Sequence, residues 1–189
     1  MCRMETVTYT PRFIEEADSM FKQLRDELAW VRRDTTPRSE YYINHHNVPY
    51  TYGRGRGVRE YQPQPSHPII DGLISGMYYV SGGTMFDVCF LNRYHDQSDQ
   101  LGWHSDDSPE MDDSKPIGII SLGAEREIWF SEKDKDQKPI GEVTKLLLEN
   151  GSLCLMSPGM QDTHLHRIPK AGYICGERIS LTFRGYVKP

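Results

Sequence analysis

Apolar residues recur at helical spacing in two segments of the N-terminal half. The first recurrence predicts an amphipathic helix from about residue 14 to 29, with Thr10-Pro11 as its start signal. Ser66-His67-Pro68 has the form of an N-cap followed by proline, and predicts a second, shorter helix that ends at Gly82-Gly83. The apolar positions are Ile14, Ala17, Met20, Phe21, Leu24 and Leu28 in the first segment, and Ile69, Leu73, Ile74 and Met77 in the second.

Beyond Met85 the pattern changes to short stretches with the alternation that is typical of strands. Two more short strands are predicted at Tyr41–Ile43 and Tyr50–Tyr52, inside an irregular segment, residues 34–65. Short strands without crossover helices favour an antiparallel barrel or jelly roll over a parallel sheet. We therefore predict a mostly β protein of the α+β class, with helices packed outside one β core. The strands predicted after Met85 are Phe86–Tyr94, Ile117–Leu122, Ile128–Phe130, Val143–Leu148, Ser152–Met156, Thr163–Ile168 and Arg178–Tyr186.

Composition narrows the class of protein. The 189 residues suit a single domain, and hydrophobic residues at 37% with charged residues at 26% are typical of a globular chain. No apolar run has the length of a membrane helix and no secretory signal is visible, so we expect an intracellular, soluble monomer without a membrane partner. The four cysteines form no CxxC pair, which argues against disulfides and a cysteine zinc site.

The net charge of −5 excludes a general basic surface for nucleic acid. Such a partner would need a local positive patch, and Arg54, Arg56 and Arg59, which alternate with glycines, are one candidate. A flexible, solvated loop accounts for this stretch equally well.

His104-Ser105-Asp106, with His166 sixty-two positions after the first histidine, carries candidate metal chemistry. Two imidazoles and one carboxylate form the ligand pattern of non-haem iron(II) oxygenases, which leaves half of an octahedral ion open. His104 and Asp106 project together if the stretch is extended, because residues at i and i+2 share a face. His164 has the same parity as His166, so spacing does not choose between them. The His-x-Asp tripeptide is also common by chance.

The C-terminal strand adds a candidate anion site. Arg178, Ser180, Thr182 and Arg184 share one face, and Ile179, Leu181 and Phe183 share the other. If the apolar face packs against the helices, the two arginines point into the β core, where a guanidinium without an anion is costly. A dicarboxylate cosubstrate would satisfy them, since guanidinium binds carboxylate through two hydrogen bonds. An edge strand with solvated arginines is the alternative.

Asn92 and Tyr94 form a third set, on one face of the strand that precedes the His-x-Asp motif. Both side chains can donate hydrogen bonds to a carboxylate or keto oxygen. Either residue alone is more often structural.

Taken in order, these motifs resemble the AlkB family of iron(II)/2-oxoglutarate dioxygenases over roughly residues 37 to 186. The resemblance is carried by Asn92-Arg93-Tyr94, Gly102-Trp103-His104-Ser105-Asp106-Asp107, Ser121-Leu122-Gly123, His166-Arg167-Ile168-Pro169 and Arg178-Ile179-Ser180-Leu181-Thr182-Phe183-Arg184. It implies a double-stranded β-helix core at about residues 85–187, N-terminal helices, and a nucleotide-recognition lid at about residues 30–65.

The resemblance also implies site roles. Iron(II) would be held by His104, Asp106 and His166, and oxygen and 2-oxoglutarate would be cosubstrates. Arg178 would pair with the distal carboxylate of 2-oxoglutarate and Arg184 would lie near its proximal carboxylate. Asn92 and Tyr94 would help to hold the same molecule.

Pro49-Tyr50-Thr51-Tyr52-Gly53 resembles the lid segment that contacts a flipped base. Tyr52 would stack over the base opposite His104, with Tyr50 beside it. Arg38, together with Arg54, Arg56 and Arg59, would contact phosphates. The alternative is that both tyrosines pack on the core.

One position departs from the family pattern. Ser108 stands where DNA-repair members usually carry an acid that recognises a cationic base, with Asp107 before it and Glu110 after it. The implied function is oxidative demethylation of 1-methyladenine and 3-methylcytosine in methylated DNA, with RNA left open. A 2-oxoglutarate-dependent oxygenase of proteins or small molecules, and a non-catalytic nucleic-acid-binding β-barrel, are the alternatives.

Overall fold

A computed structural model describes residues 6–52 and 58–187 of the chain. These described residues form three helices: α1 (Ala17–Glu27), α2 (Pro68–Val80) and α3 (Met160–Thr163). The strands of the described residues are β1 (Val7–Thr10), β2 (Val31–Arg32), β3 (Ser39–Asn44), β4 (Tyr50–Tyr52), β5 (Arg59–Tyr61), β6 (Val88–Tyr94), β7 (Leu101–His104), β8 (Ile117–Gly123), β9 (Arg126–Lys133), β10 (Pro139–Leu148), β11 (Ser152–Met156), β12 (His164–Ile168) and β13 (Arg178–Arg184).

Two antiparallel sheets form the β core. The large sheet has the order β1-β11-β8-β13-β6-β3-β2, and the small sheet has the order β10-β9-β12-β7. Strands β4 and β5 form a separate two-stranded sheet. Consecutive strands are repeatedly placed in different sheets, so the chain crosses between them, as in a jelly roll. The predicted fold class is confirmed.

The two faces of the large sheet are covered differently. Its outer face packs against α1 and α2 in one apolar cluster that contains Leu24, Met77 and Leu181. Its inner face meets the small sheet through a second cluster that includes Ile119 and Phe130. The predicted alternation along β13 is confirmed, because Ile179, Leu181 and Phe183 all lie in the cluster with the helices.

Both predicted long helices are present, with small changes at their ends. Helix α1 starts three residues later and ends two residues earlier than the predicted 14–29. Helix α2 begins at Pro68 as predicted, and its cap is His67, whose Nδ1 accepts a hydrogen bond from the Ile69 amide at 3.2 Å. It ends before Gly82 and Gly83, which have φ values of 73° and 89° that favour glycine.

The large sheet extends beyond the predicted core of about residues 85–187. Strand β1 pairs with β11 at one edge, and β3 pairs with β6 near the other edge. Part of the segment predicted as a lid is therefore sheet, and only β4 and β5 stand apart from it. Strands β1, β2, β5 and β7 and helix α3 were not predicted, because each is only two to four residues long and carries little periodic signal.

Within the described ranges, no helix combines the length and the apolar character that crossing a bilayer would require.

Candidate metal centre and adjoining cavity

The small sheet brings the two distant histidines together. Strands β12 and β7 pair so that His166 lies directly across from His104, with ring centroids 4.2 Å apart. Asp106 follows two residues after β7. Its carboxylate oxygens lie 3.7 Å from His104 Nε2 and 3.6 Å from His166 Nε2. One donor atom from each residue lies within 4.8 Å of the other two, as ligands of one ion must.

Neighbouring groups fix the orientation of these side chains. The Gly102 carbonyl lies 2.9 Å from His104 Nδ1. A carbonyl oxygen only accepts, so Nδ1 carries the proton and Nε2 keeps its lone pair for a metal. The Asp106 amide donates to Gln161 Oε1 at 2.9 Å, which holds the turn after β7. Sequence reasoning missed Gln161, since no motif marks it.

The protonation states of the three residues suit a cation. Burial, and then the neighbouring His104, lowers the pKa of His166 to about 3. Burial also lowers the pKa of His104. Burial opposes ionisation of Asp106, but the neighbouring charges, foremost the Arg184 guanidinium, hold its pKa below the usual range. The imidazoles are neutral and the carboxylate is ionised, which is the state that metal binding requires.

The carboxylate of Asp106 can still accept a ligand on both of its oxygens. Both of its carboxylate oxygens are buried and lack a hydrogen-bond partner among the described residues. Arg184 Nη2 lies 2.7 Å from Oδ1, an ion pair by distance that lacks hydrogen-bond geometry. Lone pairs left over on a buried carboxylate, next to two neutral imidazoles, fit iron(II).

His164 lies outside this group. It pairs across the sheet with Glu132, and its Nδ1 lies 2.8 Å from the Thr163 hydroxyl. The metal-competent cluster found in the described ranges contains His166 and not His164. The structure thus separates two histidines that spacing could not.

Arg178 forms a buried cationic site deeper between the sheets. It is 0% exposed, and its Nε donates to the Ser121 hydroxyl at 2.7 Å. Its two terminal nitrogens are buried without a partner in the described part of the chain. The Tyr94 ring centroid lies 5.2 Å from the guanidinium carbon. Burial lowers the pKa of Arg178 to about 10. This arrangement fits an anion that binds both terminal nitrogens.

Arg38 and Asn92 share a hydrogen bond that changes the role predicted for Arg38. The Arg38 guanidinium donates to Asn92 Oδ1 at 2.6 Å and to Glu40 Oε1 at 2.8 Å, and the residue is 6% exposed. A surface phosphate contact is therefore wrong for Arg38, because its guanidinium is buried and paired. It lines a small inner cavity with Tyr52 and His104 instead. Asn92 lines the same small cavity, and its amide N–H groups can donate to a ligand there.

A cavity of about 450 Å³ opens beside His104. Tyr52 lies at its edge, and the Tyr52 and His104 ring centroids are 6.4 Å apart at 84°. Tyr52 therefore lies near His104 with its ring almost perpendicular to the imidazole, and stacking of a base between them stays a prediction. The lining residues are Thr51, Tyr52, Trp103, His104, Ser105, Asp107, Ser108, Pro109, Glu110, Gln137 and Leu165.

Tyr50 packs behind two residues of the cavity wall, Tyr52 and Ser108. It is 2% exposed, stacks on Tyr61 at 6.2 Å, and lies 6.2 Å from the Tyr52 ring. Its hydroxyl and the Ser108 hydroxyl are 2.9 Å apart. The alternative that Tyr50 packs on the core describes its position better than a direct contact with a base.

Two acids line the cavity, in different settings. Lys133 Nζ lies 3.7 Å from Asp107 Oδ2 and donates to the Ser105 hydroxyl at 3.3 Å. Glu110 Oε2 is buried and has no hydrogen-bond partner among the described residues. Lys133 was not predicted, because its role depends on the β9 strand end approaching a motif that is distant in sequence.

The remaining predicted phosphate contacts are only partly visible. Arg54 and Arg56 lie outside the described residues. Arg59 lies in β5, directly across from Tyr52.

Comparisons with known proteins agree with this geometry. The profile of the 2OG-Fe(II) oxygenase superfamily matches residues 6–184. DNA oxidative demethylase ALKBH2 of Mus musculus is 31% identical over 180 residues, which cover 89% of this chain and 74% of that protein. Alpha-ketoglutarate-dependent dioxygenase alkB homolog 3 of Bos taurus is 31% identical over 193 residues, covering 94% of this chain and 65% of the relative. The solved structure of OsALKBH1 superposes with a TM-score of 0.67 at 15% identity, covering 97% of this chain and 100% of that one, and supports the fold.

Proposed function

The chain belongs to the 2OG-Fe(II) oxygenase superfamily, and from this premise we propose that it removes N-linked alkyl groups from nucleic-acid bases by oxidation. It is an AlkB-like dioxygenase that depends on iron(II), 2-oxoglutarate and oxygen. The observation that carries the proposed substrate is the cavity between Tyr52 and His104, directly beside the metal centre. Relatives with the name DNA oxidative demethylase support it.

We propose a role for each interior side chain. His104, Asp106 and His166 would hold iron(II) through the atoms that lie within 4.8 Å of one another. Arg178 would bind the distal carboxylate of 2-oxoglutarate with its two terminal nitrogens, which have no partner among the described residues. Asn92 and Tyr94, on the neighbouring strand β6, would help to hold the same molecule. When bound, iron(II) and 2-oxoglutarate would activate O2: one oxygen atom would enter succinate as 2-oxoglutarate loses carbon dioxide, and the other would hydroxylate the N-methyl carbon, which then leaves as formaldehyde and gives the free base.

The cavity has the dimensions for one base. Its volume of about 450 Å³ lies within the range of about 300–1,000 Å³ that is common for small-ligand sites. A base would enter only after leaving its stack, at a cost of a few kcal/mol that contact with Tyr52 and His104 partly offsets. Next to this cavity, the ion pair with Arg184 would hold the Asp106 carboxylate in place. The substrate we propose is 1-methyladenine and 3-methylcytosine in DNA, with RNA as an additional candidate.

Glu110 is our candidate for recognising the positive charge of these bases. The two neighbouring candidates already have contacts within the protein: the Ser108 hydroxyl is hydrogen-bonded to the Tyr50 hydroxyl, and Lys133 Nζ lies 3.7 Å from the Asp107 carboxylate. Glu110 lines the same cavity and has a buried carboxylate oxygen without a partner in the described ranges. A cationic base beside it would satisfy that oxygen.

Incubation with iron(II), 2-oxoglutarate and a methylated oligonucleotide tests the function. Mass spectrometry should show loss of the methyl group, with one succinate formed for each group removed. His166→Ala should abolish both products. His164→Ala is the matched control on the same strand and face, and should retain activity. Methyl groups that persist on every oligonucleotide with iron-loaded protein would refute the proposed substrate.

The range of substrates follows from a panel of single- and double-stranded DNA and RNA that carry either a cationic base or the neutral 3-methylthymine. Glu110→Gln should lower kcat/KM for 3-methylcytosine about tenfold or more, because a charge-assisted hydrogen bond is lost. It should leave 3-methylthymine unchanged, and Asp107→Asn should have a smaller effect. An equal loss for both bases would remove Glu110 from charge recognition.

Two outcomes would favour the alternatives. Succinate release that ignores all oligonucleotides would indicate a protein or small-molecule substrate. Oligonucleotide binding without iron binding, intact in His104→Ala, would indicate a non-catalytic binder. The monomeric state stays a prediction that light scattering can test.

A further inference from the structure

The outer face of the small sheet carries a row of alternating cationic and aromatic side chains. In strand order the row is Lys145 on β10, Trp129 on β9, Arg167 on β12 and Trp103 on β7. Lys145 Nζ lies 4.3 Å from the Trp129 ring centroid. The Arg167 guanidinium carbon lies 5.2 Å from Trp129 and 5.5 Å from Trp103. We call these four residues the cationic row.

Strand pairing holds the row in register. Trp129 lies directly across from Lys145 on one side and from Arg167 on the other. Glu127 accepts a hydrogen bond from Trp129 Nε1 at 2.7 Å, which fixes the indole. Since helices α1 and α2 pack on the large sheet, this face lacks a helical cover in the described part of the chain. The row is therefore a fixed surface feature.

The row leads to the catalytic cavity. Trp103, its last member, lines the cavity beside His104. Three strand spacings separate Trp103 from Lys145, which is about 14 Å. That distance corresponds to about four nucleotides, since successive nucleotides of one strand are spaced about 3.4 Å apart along the helix axis. A strand whose base occupies the cavity could reach every cation of the row.

The charges of the row are available to an anion at the surface. Arg167 is half-buried between the two indoles, and its Nε has no hydrogen-bond partner among the described residues. Lys145 is exposed. Lys133, on the same face, is already close to Asp107 at 3.7 Å. In a chain of net charge −5, a polyanion needs such a local group of cations.

We propose that the cationic row binds the phosphate backbone of the strand that carries the target base. The inference rests on the proposed function for the choice of a nucleic acid as the partner. Lys145 contacts a phosphate directly, Arg167 contributes the positive charge of its guanidinium, and the indoles hold both cations in the row. The row contributes to affinity and not to the choice of base, because phosphate contacts carry no sequence information.

Lys145→Glu tests the proposal, with Lys22→Glu as the matched control. Lys22 is an exposed lysine on α1, on the side of the large sheet. With a methylated oligonucleotide of about fifteen nucleotides, which exceeds the length of the row, Lys145→Glu should raise KM about fivefold and lower the salt slope by about 0.7. The kcat value should not change. A methylated trinucleotide centred on the target base is too short to reach Lys145, so the two variants should turn it over equally.

A direct binding measurement separates this proposal from the proposed function. Fluorescence anisotropy with an unmodified oligonucleotide and Mn(II)-loaded protein should show the same loss in Lys145→Glu and none in Lys22→Glu, whether or not any base is demethylated. Equal binding by the two variants would overturn the proposal. Trp129→Leu should weaken binding at unchanged kcat. A fall in its unfolding temperature, with wild-type binding in both Trp129→Leu and Lys145→Glu, would make the row a structural brace only.

Discussion

The two ends of strand β13 each bury an arginine, and they differ in what neutralises it. Arg184 lies 2.7 Å from Asp106 Oδ1, so its charge is balanced within the protein. Arg178 is 0% exposed, and its terminal nitrogens have no partner in the described ranges. A buried charge without a counter-ion costs several kcal/mol. The charge at the Arg184 end is therefore balanced without an external anion, whereas the Arg178 end would be stabilised by binding one.

Removing Asp106 should have the largest effect, because it leaves Arg184 buried and unpaired. We expect Asp106→Ala to lose about 3–5 kcal/mol of unfolding free energy, measured by urea denaturation of the metal-free protein, and to lose iron binding. Adding Arg184→Met to this variant removes the second charge and should restore much of the stability. A double variant no more stable than Asp106→Ala would show that the ion pair is not the cause.

Removing Arg178 should have the opposite effect on stability. We expect Arg178→Met to keep or raise the unfolding free energy of the protein without ligand, since an unbalanced charge is removed. It should weaken 2-oxoglutarate binding by about 2–5 kcal/mol, measured by calorimetry with Mn(II) under nitrogen.

Arg126 provides the matched control for that substitution. It is also buried, and its guanidinium carbon lies 5.5 Å from the Tyr94 ring centroid, but it donates to the carbonyls of Asp96 and Asp99. Arg126→Met should therefore destabilise the protein by about 2 kcal/mol or more, because buried acceptors lose their donor. Equal losses in the two variants would contradict a site that is built for an external anion.

Ligand addition should reproduce the same difference. At 100 times Kd, 2-oxoglutarate should stabilise the Mn(II)-loaded protein by about 2.7 kcal/mol, which corresponds to about 5–10 °C for a chain of this size. The shift should fall below about 1 kcal/mol in Arg178→Met at the same ligand concentration. Mn(II) alone should still stabilise Arg178→Met, since its metal ligands are intact. A full 2-oxoglutarate shift in this variant would place the cosubstrate elsewhere.

The last expected effect is a dependence of stability on pH at the metal end. Burial, then His104, lowers the pKa of His166 to about 3 in the folded protein, against about 6.5 in the unfolded chain. The unfolded state binds more protons between these values, so stability should fall as pH is lowered from about 6.5 towards 3. His166→Asn should flatten that part of the profile, measured by thermal unfolding without metal. An unchanged slope would assign it to other groups.

Features governed by local periodicity were predicted well from the sequence. The alternation along β13 predicted that Ile179, Leu181 and Phe183 face the helices, and the cluster there contains all three. The alternation predicts the two faces correctly because one face of this strand is apolar and the other is polar, so a shift by one residue would bury the wrong set. Helix α2 was predictable because proline and two glycines mark its ends.

Features that depend on pairing across the fold were not accessible in that way. Spacing could not choose between His164 and His166, since both have the same parity. The family resemblance favoured His166, and the register of β12 against β7 places His166 across from His104. The burial of Arg38 has the same origin, because its partners Glu40 and Asn92 meet through the pairing of β3 with β6. The sequence pattern of a strand predicts which residues share a face, but the register also depends on the strands with which it pairs.

The position of Trp103 gives this protein an optical reporter. The chain has three tryptophans, and only Trp103 of them lines the cavity beside His104. The Trp30 indole N–H donates a hydrogen bond to the Leu24 carbonyl on α1, and the Trp129 indole N–H donates one to the Glu127 carboxylate. With Trp30 and Trp129 replaced by phenylalanine, the remaining indole emission would follow filling of the cavity in real time. Substrate entry could then be timed separately from the oxidation that follows it.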